Sequence, residues 1–221
     1  MIPRSIATIA AGLLLAACQP GPAGSSDAAE ASGFDFYVLS LSWSPTYCEA
    51  EGEDANRQQC DARQPHGFVV HGLWPQFEQG WPEFCDSSEP ERVPNDLVGT
   101  MLGLMPSAGL IGHQWRKHGS CTGFTQADYF SVVREARETI AIPARFQTLP
   151  DRLTIDPDDA EAAFLDANPG LPADGIAVSC RDRFLSEVRI CMTKDLDFRS
   201  CAEVDARSCS IPDATMPAMN R

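Results

Sequence analysis

Nine cysteines in 221 residues narrow the choice of fold more than any other feature, because of the segment that leads the chain. Arg4 is the sole charge before an apolar run from Ile6 to Ala17. That run is shorter than the roughly 20 residues a membrane-spanning helix needs, and small residues close it. It reads as the core of an export signal, with residues 1–17 the signal peptide. Leu15-Ala16-Ala17-Cys18 resembles a bacterial lipobox, in which the cysteine is lipidated and becomes the mature N-terminus. The plainer alternative is an ordinary signal peptide that happens to contain a cysteine. With Cys18 set aside, an even set of eight remains, and in an exported chain these read as four disulfides.

Residues 18–33 are rich in Ala, Gly, Pro and Ser and carry no aromatic or large aliphatic side chain. Such a segment has nothing to bury and is expected to be a flexible tether. From Phe34 the composition turns globular and stays so, giving one domain over residues 34–221 with enough chain for a sizeable core. Asp and Glu outnumber Lys and Arg by 31 to 17, a net charge of −14. A protein that coats nucleic acid through a broad basic surface is excluded. A local cationic site is not, since charges are screened over about 8 Å at physiological salt.

Residues 34–41 and 67–71 are strand-like, with aromatic and β-branched content. Leu97, Met101, Leu104 and Met105 have helical spacing over residues 95–105, ended by Pro106. Thr125 with Asp128 three residues on opens a helix with Phe130, Val133 and Ile140 on one stripe. Asp156-Pro157 opens another that runs through Leu165, and residues 175–180 and 184–192 read as a strand hairpin. Strands and helices mix without regular βαβ alternation. The expected class is α+β, a mainly antiparallel central sheet with flanking helices, stapled by disulfides.

The chemistry concentrates in Phe68-Val69-Val70-His71-Gly72-Leu73-Trp74-Pro75 and His113-Gln114-Trp115-Arg116-Lys117-His118-Gly119-Ser120-Cys121. Three of the four histidines lie in these windows; His66 sits five residues before His71. If the second segment is helical, His113 and Lys117 lie about 40° apart, as do Gln114 and His118. The four span about 140° of one face, Trp115 points away into the core, and Gly119 is placed to end the helix in a left-handed cap. A zinc site fits poorly. Helical histidine pairs chelate at i, i+4, whereas these stand at i, i+5 with Lys117 between them and no carboxylate in either motif. Ser120 has no nucleophile-elbow setting. What remains is acid–base work on an anion: two imidazoles as acid and base near neutral pH, and a lysine for a phosphoryl transition state that gains negative charge. Cleavage of RNA through its own 2′-hydroxyl needs these groups and no metal, and DNA lacks the nucleophile.

Both segments resemble the two active-site segments of the ribonuclease T2 family, Phe-x-x-His-Gly-Leu-Trp-Pro and His-Glu-Trp-x-Lys-His-Gly-x-Cys. The likeness extends in order and spacing to Ser42-Trp43-Ser44-Pro45-Thr46-Tyr47-Cys48 and Arg189-Ile190-Cys191. It implies a metal-independent endoribonuclease with no cofactor, a monomer, giving 2′,3′-cyclic and then 3′-phosphates. By the same resemblance His71 is the general acid, His118 the base, His113 a phosphate ligand and Lys117 the transition-state stabiliser. Trp74 contacts substrate, and the acid and base labels are open to exchange, since the cyclic product is hydrolysed by the reverse assignment. The implied disulfides are Cys48–Cys60, Cys85–Cys121, Cys180–Cys209 and Cys191–Cys201, a pairing that spacing alone does not select from about a hundred. One position departs from the pattern: Gln114 stands where the family has glutamate, and an amide hydrogen-bonds but does not ionise. The alternative is therefore a weakened relative that binds RNA or another anion without efficient turnover. The expected location is the periplasm or cell envelope, with the membrane reached only through lipidated Cys18. Gln19 after the cysteine favours the outer membrane.

Overall fold

The structure is a computed structural model that describes residues 33–219 apart from 62 and 64. The expected signal peptide, Cys18 with its expected lipidation, and all of the expected tether but Gly33 lie outside the described residues. Strands β1 (Phe36–Trp43), β2 (Phe68–Gln76), β3 (Leu153–Ile155), β4 (Ile176–Arg181), β5 (Phe184–Met192) and β6 (Ala214–Met216) form one sheet. Its order is β2-β1-β5-β6-β3, and β4 also pairs with β5. All pairs are antiparallel except a single β5–β6 contact at Phe184 and Thr215. Helices are α1 (Ser44–Glu51), α2 (Arg57–Cys60), α3 (Asn95–Met101), α4 (Ala108–Lys117), α5 (Gln126–Glu138), α6 (Ala144–Gln147), α7 (Pro157–Ala167) and α8 (Ala202–Asp205). This is the expected α+β class with a mainly antiparallel sheet.

The alternation of β1 sorts its side chains between two faces. Tyr37, Leu39, Leu41 and Trp43 enter the main core beside Trp115, Tyr129, Phe130 and Phe164. Phe36 and Val38 face the other way, where a smaller cluster forms with Cys191, Cys201 and Trp74. On β5, Val188, Ile190 and Met192 join the main core, so Glu187 and Arg189 project from the opposite face. The sheet thus has a packed face and a working face.

Most elements follow local signals. The Thr125 side chain accepts from the Asp128 N–H at the start of α5, and Asp156 accepts from Asp158 ahead of α7. Three elements differ from the sequence reading. β2 continues past His71 to Gln76, so the whole first motif is strand. α3 stops at Met101 instead of reaching Met105: the chain tightens, Leu104 N–H donating to the Met101 carbonyl, and the Leu104 carbonyl accepts from Val70 N–H on β2 at 3.0 Å. α4 ends at Lys117, and Gly119 does not form a left-handed cap. The chain tightens there into a 3₁₀ turn over Gly119–Cys121. Glycine is required at 119 for lack of space: a Cβ would lie 2.5 Å from the Trp115 ring and 2.8 Å from Tyr129.

Four disulfides staple the fold, Cys48–Cys60, Cys85–Cys121, Cys180–Cys209 and Cys191–Cys201. These are the pairs the resemblance implies. Two of them border the working face: Cys85–Cys121 holds the turn after α4, and Cys191–Cys201 ties α8 to β5.

Candidate active site

A β-bulge aims the first motif. Ser40 of β1 faces Gly72, but Leu41 faces Val70, which leaves His71 as the extra residue of β2. Strict alternation would put His71 and Trp74 on opposite faces. The bulge resets the phase, so Val70 and Leu73 both enter the core while His71 and Trp74 both line the working face.

The second motif descends onto the same face. Ser107 caps α4, accepting from Leu110 N–H, and Trp115 anchors the helix in the core, its indole N–H donating to the Pro90 carbonyl. His113, Gln114 and Lys117 then meet β2 and β5 across a cleft of about 400 Å³ that His71, Trp74 and His118 also line. All six residues proposed from the motifs converge there. A second hollow of about 500 Å³, lined by Ser42, Tyr47 and Leu110 among others, adjoins it across His71 and His113.

Gln114 is 1% exposed, and its carbonyl oxygen accepts from the Trp74 indole N–H at 2.9 Å. An indole nitrogen only donates, so the amide orientation is fixed by chemistry. Gly72 makes room for this bond: a Cβ there would sit 2.0 Å from Gln114 Oε1 and 2.4 Å from Trp74 Nε1. Trp74 in turn arranges both histidines, stacking on His118 with ring centres 5.3 Å apart and meeting His71 edge-on at 5.4 Å. The Arg189 guanidinium lies over the same indole at 5.3 Å.

Sequence reasoning passed over Glu187. Its Oε1 accepts from His71 Nδ1 at 2.5 Å and its Oε2 from Arg189 at 2.7 Å. Burial alone would raise this carboxyl, but the hydrogen bond from His71, its charge and that of Arg189 hold it at about 2. It is a carboxylate at neutral pH. A proton on His71 Nδ1 is therefore fixed, and Nε2 is the nitrogen available to substrate. The signal was present: Glu187 and Arg189 alternate with Val188 and Ile190, which marks a polar row on one face. Trp81, Glu203 and Arg207 also line the cleft and were not anticipated. Arg207 lies over Trp81 at 5.1 Å and pairs with Glu203, which accepts from the Gly80 N–H.

His118 is the buried imidazole of the set, 6% exposed, with Nδ1 unpartnered. Burial, then the charge of Lys117 and the neighbouring histidines, lower it to about 3. Burial, Lys117 and Arg116 likewise lower His113. Both rings are neutral acceptors at pH 7 when the cleft holds only solvent. Lys117 Nζ lies 3.4 Å from Glu83 at the rim. Among the described residues, no three His, Cys, Asp or Glu side chains converge as a metal-ligand set. The cleft gathers three imidazoles with Lys117, Arg189 and Arg207 in an acidic protein.

Fold and cleft together define an acid–base enzyme for an anionic substrate. Residues 34–201 match the Ribonuclease T2 family, and the chain belongs to it as a T2-type endoribonuclease. A curated protein named "Ribonuclease" from Aeromonas hydrophila is 36% identical over 193 residues, covering 83% of this chain and 86% of that protein. Ribonuclease I of Escherichia coli is 25% identical, covering 73% and 76%. Among solved structures, an RNase-related protein from Calystegia sepium superposes with a TM-score of 0.67 at 21% identity, covering 85% of this chain and 98% of its own. RNase NT in complex with 5′-AMP superposes at 0.61 with 23% identity, covering 84% and 98%.

Proposed function

We propose that this protein cleaves single-stranded RNA by metal-independent transphosphorylation, with His118 as the base and His71 as the acid. His118 takes the proton of the 2′-hydroxyl, O2′ attacks phosphorus, and the P–O5′ bond breaks. The departing O5′ receives the Nε2 proton of His71, and a 2′,3′-cyclic phosphate remains. Water then opens the cyclic ester with the two roles reversed, giving a 3′-phosphate. His113 and Lys117 hold the phosphoryl oxygens and offset the added charge. Trp74 and Gln114 set the spacing of the two imidazoles, and Glu187 balances the charge of His71 while it holds both protons. The observation that carries this division of labour is the asymmetry between the histidines: His118 is held neutral by burial and by Lys117, while His71 faces a carboxylate at 2.5 Å. The two hollows that meet at His71 and His113 suit the two nucleotides flanking the cut. Gln114 accepts from the Trp74 indole through an oxygen that a carboxylate would also offer, only without the charge, which favours turnover over the anion-binding alternative.

The nucleotide complexes among the structural neighbours fit RNA as the partner, with DNA spared for want of the nucleophile. Four disulfides suit an oxidising compartment, in keeping with export by residues 1–17 and a monomer tethered through lipidated Cys18 at the cell envelope. Membrane fractionation of Cys18→Ala, with the size of the product, tests the anchor: release or an unprocessed leader supports it, and unchanged partition of normally processed protein refutes it. For the activity, RNA is incubated with the mature domain and excess chelator. Cutting that persists, and falls at least about 10²-fold in His71→Ala and His118→Ala, supports the mechanism; cutting that stops on metal removal overturns it.

A further inference from the structure

The segment Trp81–Cys85 runs from Trp81, which lines the cleft, to the disulfide at Cys85, and carries an unusually placed phenylalanine. Phe84 is 59% exposed, outside the hydrophobic core. Its backbone adopts φ +51, the left-handed region that side chains bearing a Cβ seldom occupy. The conformation is held from both sides: Phe84 N–H donates to the Lys117 carbonyl at 2.9 Å, and the next residue is locked to Cys121. The ring meets His113 edge-on with centres 6.3 Å apart, and Lys117 Nζ lies 5.9 Å from its centre. A large apolar ring is thus fixed beside two residues of the cleft while most of it stays in solvent, which core packing does not account for.

We infer that Phe84 is a stacking platform for an RNA base outside the two nucleotides that flank the cut, so that the site grips at least three nucleotides. The inference rests on RNA being the substrate. Every base has a π-face, so an aromatic platform adds affinity without selecting sequence. His113 and Lys117 touch the ring and also line the cleft, so they join the platform directly to the site of the scissile phosphate. Stacking also suits a protein of net charge −14, because it gains little from charge. The increment owed to Phe84 is therefore nearly independent of salt, unlike that of phosphate contacts.

The test measures binding of 2′-O-methyl dinucleotides, and of trinucleotides extended at the 5′ or the 3′ end, by calorimetry at low and high salt. The 2′-O-methyl group removes the nucleophile, so affinity is read apart from turnover. One trinucleotide should bind about fivefold or more tighter than the dinucleotide. Phe84→Ala and Phe84→Leu should lose that gain, Phe84→Trp should keep it, and circular dichroism and melting should show each variant folded. A gain from neither extension, or one that survives in Phe84→Leu, overturns the platform. A wild-type dimer that Phe84→Ala dissolves would assign the ring to self-contact and overturn it equally. Parallel cleavage of unmodified RNA reports on the enzyme itself: absent cleavage with the gain intact would sink the ribonuclease mechanism and leave the platform standing.

Discussion

Adding one methyl group at Gly72 should disable the cleft without touching a histidine. A Cβ at this position would stand 2.0 Å from Gln114 Oε1, 2.4 Å from Trp74 Nε1 and 2.7 Å from Gln114 Cδ. Ordinary contact is about 3.5 Å, so the carboxamide must retreat by more than about 1 Å. At 1% exposure it retreats only by breaking its bond to Trp74 and swinging toward the cleft it lines. Overpacking of this kind costs about 1–3 kcal/mol, and an indole N–H deprived of its acceptor costs about 1–3 kcal/mol more. We expect Gly72→Ala to destabilise by about 3 kcal/mol, a fall in melting temperature of about 6–12 °C for a domain of this size. Since Trp74 touches both His71 and His118, kcat/KM on a dinucleotide should fall about 10²-fold, the usual consequence of misplacing a reacting group by 1 Å. Gln114→Ala removes the obstructing amide, so Gly72→Ala with Gln114→Ala should be more stable than the sum of the single changes by about 1 kcal/mol or more. Urea denaturation of the four proteins gives that coupling. A Gly72→Ala protein with wild-type stability and activity would refute the packing argument.

The state of His118 predicts acid sensitivity. Its folded pKa of about 3 lies below the ordinary 6.5, so as pH falls through 6.5 the unfolded chain gains a proton that the folded one does not. Stability should be intact above 6.5 and about 2 kcal/mol lower at pH 5. His118→Asn should reduce that slope, and an unchanged slope would mean that the ring is not buried neutral. Glu187, low at about 2 against 4.5, contributes stability above 4.5 that is lost only between 4.5 and 2, outside that window. Gln114→Ala should cost about tenfold in rate, roughly 1.4 kcal/mol. Gln114→Glu should stay active with the histidine limb of its pH–rate profile moved upward, since a carboxylate favours a protonated ring. A rise of about 100-fold in Gln114→Glu would instead identify the wild type as an impaired relative. Glu187→Gln should lower kcat about tenfold or more with KM little changed, measured on a dinucleotide. A loss confined to KM would assign Glu187 to substrate binding.

What sequence made legible was what local chemistry decides. The motif histidines, the capping at Thr125 and Asp156, and strands β1, β4 and β5 follow from patterns within a few residues. What it hid depends on how distant segments meet. The bulge that turns His71 and Trp74 to one face exists only in the register of β1 against β2. Glu187 lies 116 residues from His71, and only the pairing of Ser42 with Glu187 on β1 and β5 brings them near. Gly119 has helix-ending chemistry, yet its cause is the crowding of Trp115 and Tyr129, invisible without packing. The docking of the α3 end on the sheet, where Val70 N–H donates to the Leu104 carbonyl, likewise joins segments far apart in sequence. Trp81, Glu203 and Arg207 reach the cleft from loops and a helix carrying no motif, through the Cys191–Cys201 link and the contact of Glu203 with Gly80.

The most direct test of the proposed chemistry is cleavage of a DNA oligonucleotide carrying a single ribonucleotide, with chelator present and the products resolved by mass. The reaction should cut only 3′ to the ribonucleotide and pass through a 2′,3′-cyclic phosphate. His118→Ala should abolish both. A cut elsewhere, or at that position with a 3′-hydroxyl and no cyclic intermediate, would contradict attack by the 2′-hydroxyl.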